Sequence, residues 1–481
     1  MPRRNALNDR AERHYSPIFY QPHPDSSLQT LWNATQLGLV VMPFSPLLGG
    51  IGISLIALVL LRQRFKPISH RPVNWALLGV AAGMVISAAL AYNKAAAFLG
   101  LTNFLPLFIV FAALSELIQT PAQLRRIAWI LVWGSVPVLV IGFGQLFWGW
   151  GGHVQVLGSL VDWVILPTGN PPGRMASIFV FANVLASYLV VTFTLCLGLF
   201  VEQVKTGWRH RKSVPLALIL LLILVGNAIA LILTNSRNAW GIEVFAFLAF
   251  ALYLGWYWLL AIVTAVTTVI LGAAFAPSPL REGLRQIVPA YFWARLTDQL
   301  VPNRPIADMR QTQWRFAWSL VEQRPWMGWG LRNFSLLYQE AMHFFIGHPH
   351  NLPLMLAAEV GLPTTLIFIG TVGWVVLKGS QLLLDSARIR ELSSNGGEPV
   401  PGSTQNGSGQ KRTFYGGKIA SHRLILFTFL VTFMSCTLFS LLDVTLFDIR
   451  INLLGWLLLA GIGGLVYHSQ REQGKGTGGE A

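Results

Sequence analysis

The chain has 481 residues, 53% of them hydrophobic and only 11% charged, with a formal net charge of +15. A soluble globular chain carries about 25% charged residues, so this composition excludes a water-soluble domain and fits a helical membrane protein whose apolar runs reach the roughly 20 residues needed to span a bilayer. The basic residues sit mostly in short loops between those runs, where they set topology rather than bind nucleic acid.

Residues 1–32 are polar and contain no apolar stretch of signal-peptide type, so they read as a cytoplasmic N-terminal segment. Apolar runs follow at 33–61, 73–92, 95–115, 126–148, 175–200, 215–234, 239–275, 351–377, 423–445 and 451–467. Two of them are too long for one crossing. Pro43 and Pro46 interrupt the first, which predicts a helical hairpin. The run 239–275 would make a helix of about 55 Å, far thicker than the hydrocarbon core, so a break is expected near Gly255. The total becomes about twelve spans. That count places Arg62, Arg64, Lys66 and Arg71, then Arg125 and Arg126, then Lys205, Arg209, Arg211 and Lys212, on one side together with Arg3, Arg4, Arg10 and Arg13. The positive-inside rule makes that side cytoplasmic and puts both termini there. The expected fold class is an all-α polytopic membrane protein, with no repeated alternating segments of barrel type.

The predicted organisation runs as membrane helices 1–9 over 33–275, an extracytoplasmic loop over 276–350, helix 10 over 351–377, a flexible cytoplasmic linker over 378–422, helices 11–12 over 423–467, and a cytoplasmic tail over 468–481. The linker contains NGGEPVPGSTQNGSGQ, a Gly/Ser/Pro-rich stretch of linker composition. Cys196 and Cys436 lie inside apolar runs, away from any Cys/His cluster, and read as small core residues.

Every basic side chain of the loop 276–350 other than histidine is arginine: Arg281, Arg285, Arg295, Arg304, Arg310, Arg315, Arg324 and Arg332. Guanidinium forks bind phosphate and carboxylate bidentately where an ammonium cannot. Pairing with the acids of the same loop or with lipid headgroups is the plainer reading for any one of them. Arg237, in TNSRNAW, and Arg174, in NPPGRMAS, sit at two further outer turns, where snorkelling to headgroups is the alternative. His348 and His350, in HPHNLPLMLAAEVG, face the same side. An imidazole can accept a proton near neutral pH. An interfacial hydrogen bond is the alternative; with only His343 nearby and no cysteine in the loop, a zinc site is poorly supplied.

Four stretches together resemble the O-antigen ligase/polymerase family of membrane glycosyltransferases. His350 and Asn351 are followed by nine residues and Gly361, similar to that family's signature, although Thr364 stands where its second glycine would be. Met309 to Phe334 resembles the family's block of Arg, three residues, Trp, then Pro-x-x-Gly-x-Gly. TNSRNAW resembles its Ser-Arg turn, and NPPGRMASIFVFANVLASYL, from Asn170 through Leu189 and including Asn183, its Gly-Arg … Asn-x-x-Ala stretch.

The resemblance implies a glycan donor on a polyprenyl diphosphate and an acceptor such as lipid A-core, another glycan or a protein, in a bacterial inner membrane. It implies that Arg237 and Arg310 hold the diphosphate, with Arg174 and Arg315 as further candidates. His350 would be the general base, with His348 and Asn351 in support, and attack would invert the anomeric carbon. No metal or other cofactor is implied, because arginines can stabilise a diphosphate leaving group. The chain also resembles cyanobacterial members labelled as inorganic-carbon transporters. A bicarbonate or other small-anion carrier would use midplane groups, for which Glu243 and Glu359 are candidates beside Asn227 and Asn183.

Overall fold

The computed structural model describes residues 21–156, 161–207, 214–297, 299, 305–385 and 410–477. Arg3, Arg4, Arg10, Arg13, Arg209, Arg211, Lys212 and Arg304, most of the expected linker 378–422 and the end of the tail lie outside them.

Among the described residues, 11 helices are long and apolar enough to cross a membrane. The protein is an all-α polytopic membrane protein. The remaining pass of the expected twelve corresponds to α1 (Gln29–Val41), whose 13 residues are too short for that criterion. Both long runs break where the chain offers a breaker. The Ser45 hydroxyl accepts the Leu48 N–H at 3.3 Å and caps α2 (Pro46–Gln63), with proline in its first turn. Gly255, at φ +70°, ends α9 (Arg237–Leu254) in the left-handed region before α10 (Tyr257–Phe275) begins.

Between them run α3 (Pro72–Ala89), α4 (Lys94–Leu101), α5 (Leu105–Leu117), α6 (Pro121–Phe147), α7 (Ala182–Gly207) and α8 (Val214–Leu233). Helix α7 is the central post: 89% of its apolar window is buried against other helices, against 11% for α10 at the periphery. The segment after α6 departs from an all-helical reading. It forms a hairpin, β1 (Gly152–Val156) and β2 (Val161–Ile165), antiparallel with Gly152 opposite Ile165. Its Trp163 indole donates to the Phe44 carbonyl at 2.6 Å and fastens the hairpin to the hairpin bend of α1 and α2.

One end of the bundle gathers the basic loops. Arg71 pairs there with Glu116, Arg471 joins the same carboxylate at 3.2 Å, and Arg125 meets Glu202 at 2.7 Å. The opposite end carries the segment 276–350. That segment folds into α11 (Leu280–Ile287), α12 (Ala290–Leu296), α13 (Arg310–Gln323) and α14 (Asn333–Met342). A small core of Ala317, Leu320, Phe334 and Tyr338 closes against Ala357 and Ala358.

In place of one helix over 351–377 there are two, α15 (Leu352–Val360) and α16 (Leu362–Leu384). Gly361 separates them at φ +81°, and a Cβ there would lie 2.2 Å from the Trp326 carbonyl oxygen. Only glycine tolerates both demands. The Pro-x-x-Gly-x-Gly block zips onto this break: Gly330 N–H donates to the Glu359 carbonyl at 2.7 Å and Leu362 N–H to Pro325 at 2.8 Å. Thr364, the departure from the family pattern, packs on α3, where a Cβ on Gly83 would lie 2.4 Å from its hydroxyl. The small residue of this contact thus sits on α3. The ends of the expected linker belong to α16 and to α17 (Gln410–Leu442), and α18 (Ile449–Thr477) follows.

Candidate functional site

The site lies at the end of the bundle that bears the segment 276–350. The Gly169–Arg174 turn is so tight that a Cβ on Gly169 would lie 1.9 Å from the Arg174 carbonyl oxygen. Arg174 leaves this turn and donates from Nε to the Thr234 carbonyl at 2.7 Å, which brings it beside the Ser-Arg turn. Arg237 opens α9 and reaches the carbonyl of Arg295 at 3.4 Å. Arg295 in turn donates to the Asn235 carbonyl at 3.2 Å. Arg310 opens α13 and donates to the Asn238 side chain at 3.4 Å.

These four arginines line one cavity of about 450 Å³, together with His350 and Asp308. The cavity is therefore strongly electropositive. Burial first, then the nearby Arg295, lower Arg174 to about 10, so it stays protonated at neutral pH.

His350 is presented on a strained backbone, at φ +53°. The next residue fixes the helix that follows: the Asn351 side chain accepts the Leu354 N–H at 2.9 Å as the N-cap of α15. The His350 ring points its Nδ1 at Asp443, 2.8 Å away. A carboxylate only accepts, so it fixes the ring proton on Nδ1 and leaves Nε2 with a lone pair. Burial by itself would raise the Asp443 carboxyl, but the hydrogen bond from His350 and the nearby imidazoles outweigh it and hold Asp443 at about 2.

His348 stands behind this pair. Its Nδ1 accepts the His350 backbone N–H at 3.2 Å, and its ring stacks on Phe447 at 5.9 Å. Burial, only partly opposed by Asp443, pushes it down to about 4, so it is neutral and does not line the cavity.

His348, His350 and Asp443 place one ligand atom each within 4.8 Å of one another, the candidate metal cluster among the described residues. Asp443 Oδ1 already accepts from His350 and from the Val444 N–H, and Oδ2 from Asn183 at 2.6 Å. That bonding pattern is the one expected of an oriented imidazole.

Of the residues singled out from sequence, Arg174, Arg237, Arg310 and His350 converge on the cavity. Arg315 does not: it sits on the exposed face of α13, because one helical step past Arg310 and Trp314 turns a side chain to solvent. Arg295 and Asp443 are the residues that sequence reasoning missed. Asp443 stood in plain view as a lone acid closing the apolar run of α17, the only signal it offered.

Of the midplane candidates Asn183 lines this cavity, and the other three lie away from it. Glu359 accepts the Phe334 N–H at 3.2 Å and braces the glycine block. Asn227 exchanges hydrogen bonds with Thr192 at 2.7 Å and Ile223 at 2.8 Å. Neither residue lines this cavity or the apolar one below, and Glu243 also lies outside both.

That second cavity, about 490 Å³, is walled by Phe368, Phe433, Phe439 and Trp456. Leu352, two residues from His350, and Thr445, two residues from Asp443, form part of its lining, which brings this cavity close to the site.

Residues 217–369 match the family described as O-antigen ligase. No curated protein matches the chain. The matched stretch holds Arg237, Arg295, Arg310 and His350, while Arg174 and Asp443 lie outside it. Three of the four stretches that carry the resemblance fall within this match, and the stretch that begins at Asn170 lies outside it.

Proposed function

We infer that the O-antigen ligase domain at residues 217–369 serves an inverting, metal-independent glycosyltransferase, which moves a glycan from a polyprenyl diphosphate to an acceptor hydroxyl. The observation that carries this reading is the convergence of four arginines and an Asp443-oriented His350 on one cavity. Guanidinium groups there match the charge of a diphosphate and stabilise it further as it leaves. A diphosphate is already a good leaving group, so no acid is required of the protein. The acceptor hydroxyl needs a base, and His350 Nε2 can take its proton as the oxygen attacks the anomeric carbon from the face opposite the diphosphate. Asp443 then stabilises the imidazolium that forms. The nearby apolar cavity suits the prenyl chain, whose burial there keeps the headgroup at the membrane edge.

The acceptor would be lipid A-core, another glycan or a protein, and the chain would work in a bacterial inner membrane with this site on its outer face. The placement follows the positive-inside rule applied to the basic end of the bundle.

The test uses purified full-length protein in detergent with EDTA, a polyprenyl-diphosphate glycan pool and extracted lipid A-core. Release of polyprenyl diphosphate by the wild type, lost in His350→Ala, is expected. No release with any donor, together with anion uptake in proteoliposomes, would overturn the reading and return attention to Glu243 and Glu359.

A further inference from the structure

Three hydrogen bonds join the arginine that lines the cavity to the imidazole that faces it. Arg174 Nη2 donates to Asn183 Oδ1 at 2.6 Å. Asn183 Nδ2 donates to Asp443 Oδ2 at 2.6 Å. His350 Nδ1 donates to Asp443 Oδ1 at 2.8 Å. The direction of each bond follows from chemistry. Arginine has only donors, so the amide oxygen must face Arg174; an ionised carboxylate only accepts, so the amide nitrogen must face Asp443. A neutral amide is the side chain that can accept at one end and donate at the other across this span.

Asn183 also occupies an unusual place. It lies in the first turn of α7, the central post, and is itself part of the cavity wall. It therefore stands between the cavity and the carboxylate behind His350. Arg174 is fixed from its other side by the Thr234 carbonyl at 2.7 Å, so it offers Asn183 one defined donor. Without Asn183, Asp443 keeps His350 and the Val444 N–H at Oδ1, and Oδ2 loses the one side-chain donor it has among the described residues.

We propose that Asn183 is a positioning residue that sets the aim of His350 through Asp443 and anchors it to Arg174 on the cavity wall. Arg174, held by the Thr234 carbonyl, anchors the amide, and the amide holds the carboxylate that fixes the imidazole. The base is thereby kept in aim beside the arginines of the cavity. The proposal rests on the glycosyl-transfer reading above, and it assigns a role to Asn183 that involves no direct contact with the reacting atoms.

The test measures release of polyprenyl diphosphate by the full chain, with kcat and the donor KM determined separately, and binding of polyprenyl diphosphate by titration. The variants are Asn183→Leu, which keeps the forked shape of the side chain but makes neither bond, Asp443→Asn, the double variant of these two, and His350→Ala. Asn183→Leu is expected to lower kcat by about tenfold or more, the usual scale for groups that orient a functional imidazole. Its donor KM and its binding of polyprenyl diphosphate should stay within about threefold, since Arg237 and Arg310 still line the cavity.

The decisive comparison is in the Asp443→Asn background, which keeps a residual rate and in which Asn183→Leu should cost nothing further. A residue that acts through another has no effect once that other is gone. Full additivity in the double variant, or an Asn183→Leu kcat within twofold of wild type while His350→Ala is inactive, would overturn the relay and leave the glycosyl-transfer reading standing. Wild-type activity in His350→Ala would remove both together.

Discussion

Trp314 donates its indole N–H to the carbonyl of Pro349 at 2.9 Å, and so ties α13 to the backbone that presents His350. Arg310 stands one helical turn before Trp314, on the wall of the cavity. The spacing of Arg, three residues and Trp therefore has a mechanical meaning. A single helix positions a phosphate-binding group and clamps the loop of the base.

Trp314→Phe keeps the ring and removes that bond. The expected loss of stability is about 1 kcal/mol, the net worth of one hydrogen bond. The expected loss of kcat is larger in effect, about tenfold, because a small displacement of a reacting group is costly. Thermal unfolding and donor-release kinetics on the same preparation would check both. A variant that unfolds early but turns over normally would contradict the clamp.

Asp443→Asn should reduce kcat by about a thousandfold or more, by analogy with removal of the carboxylate from a His–Asp pair. The amide can present a donor to Nδ1, which favours the wrong tautomer and leaves Nε2 protonated. Donor KM should change little. A kcat within tenfold of wild type would show that His350 does not depend on its partner.

His348 makes stability depend on pH. Its folded-state value, about 4, lies below the ordinary 6.5, so the unfolded chain binds the proton more readily. Stability should fall as the pH drops below about 6.5, with the full loss reached below about 4 and amounting to about 3 kcal/mol at most. Asp443 acts lower on the scale. Its depressed carboxyl contributes stability above about 3.8 that is lost as the pH falls toward 2. His348→Gln should flatten the unfolding midpoint between pH 6.5 and 4 and leave the lower limb in place. Midpoints of wild type and variant across that range are the measurement. An unchanged slope would assign the pH dependence to another group.

Gly373 and Gly455 line the apolar cavity, and a Cβ on either meets nothing within 4 Å. Gly455→Leu would therefore send a side chain into the cavity and narrow it. The donor KM should rise about tenfold for long-chain polyprenyl diphosphates and stay unchanged for a donor with a short prenyl group. Equal KM changes for both donors would place the chain elsewhere.

Gly83→Ala should destabilise the bundle by about 1–3 kcal/mol, the range for overpacking a tight contact, because the added methyl meets the Thr364 hydroxyl. Gly83→Ala combined with Thr364→Gly should recover most of that loss. Failure of the second change to rescue the first would mean that Gly83 is needed for some other contact.

The spans were legible because hydropathy is a local property: a run of apolar residues must cross or be buried wherever the rest of the chain goes. The breaks at Pro43–Pro46 and Gly255 were legible for the same reason, since proline and glycine act on their own turn. Arg174, Arg237, Arg310 and His350 could be singled out from their motifs, and tertiary structure brings them to one cavity.

Arg315 shows where the local signal fails. Its residue type and loop matched those of Arg310, and only the pitch of α13 turns it to the exposed face. The single helix expected at 351–377 fails likewise, because Gly361 breaks it against Trp326 from another part of the chain. Asp443 is the clearest case. It meets His350 from 93 residues away, just past the end of α17. The amino-acid sequence by itself determined that the chain spans a membrane, and roughly where. Only the tertiary structure decided which carboxylate orients His350 and which arginines share its cavity, because those pairings are long-range contacts between helices that no local pattern encodes.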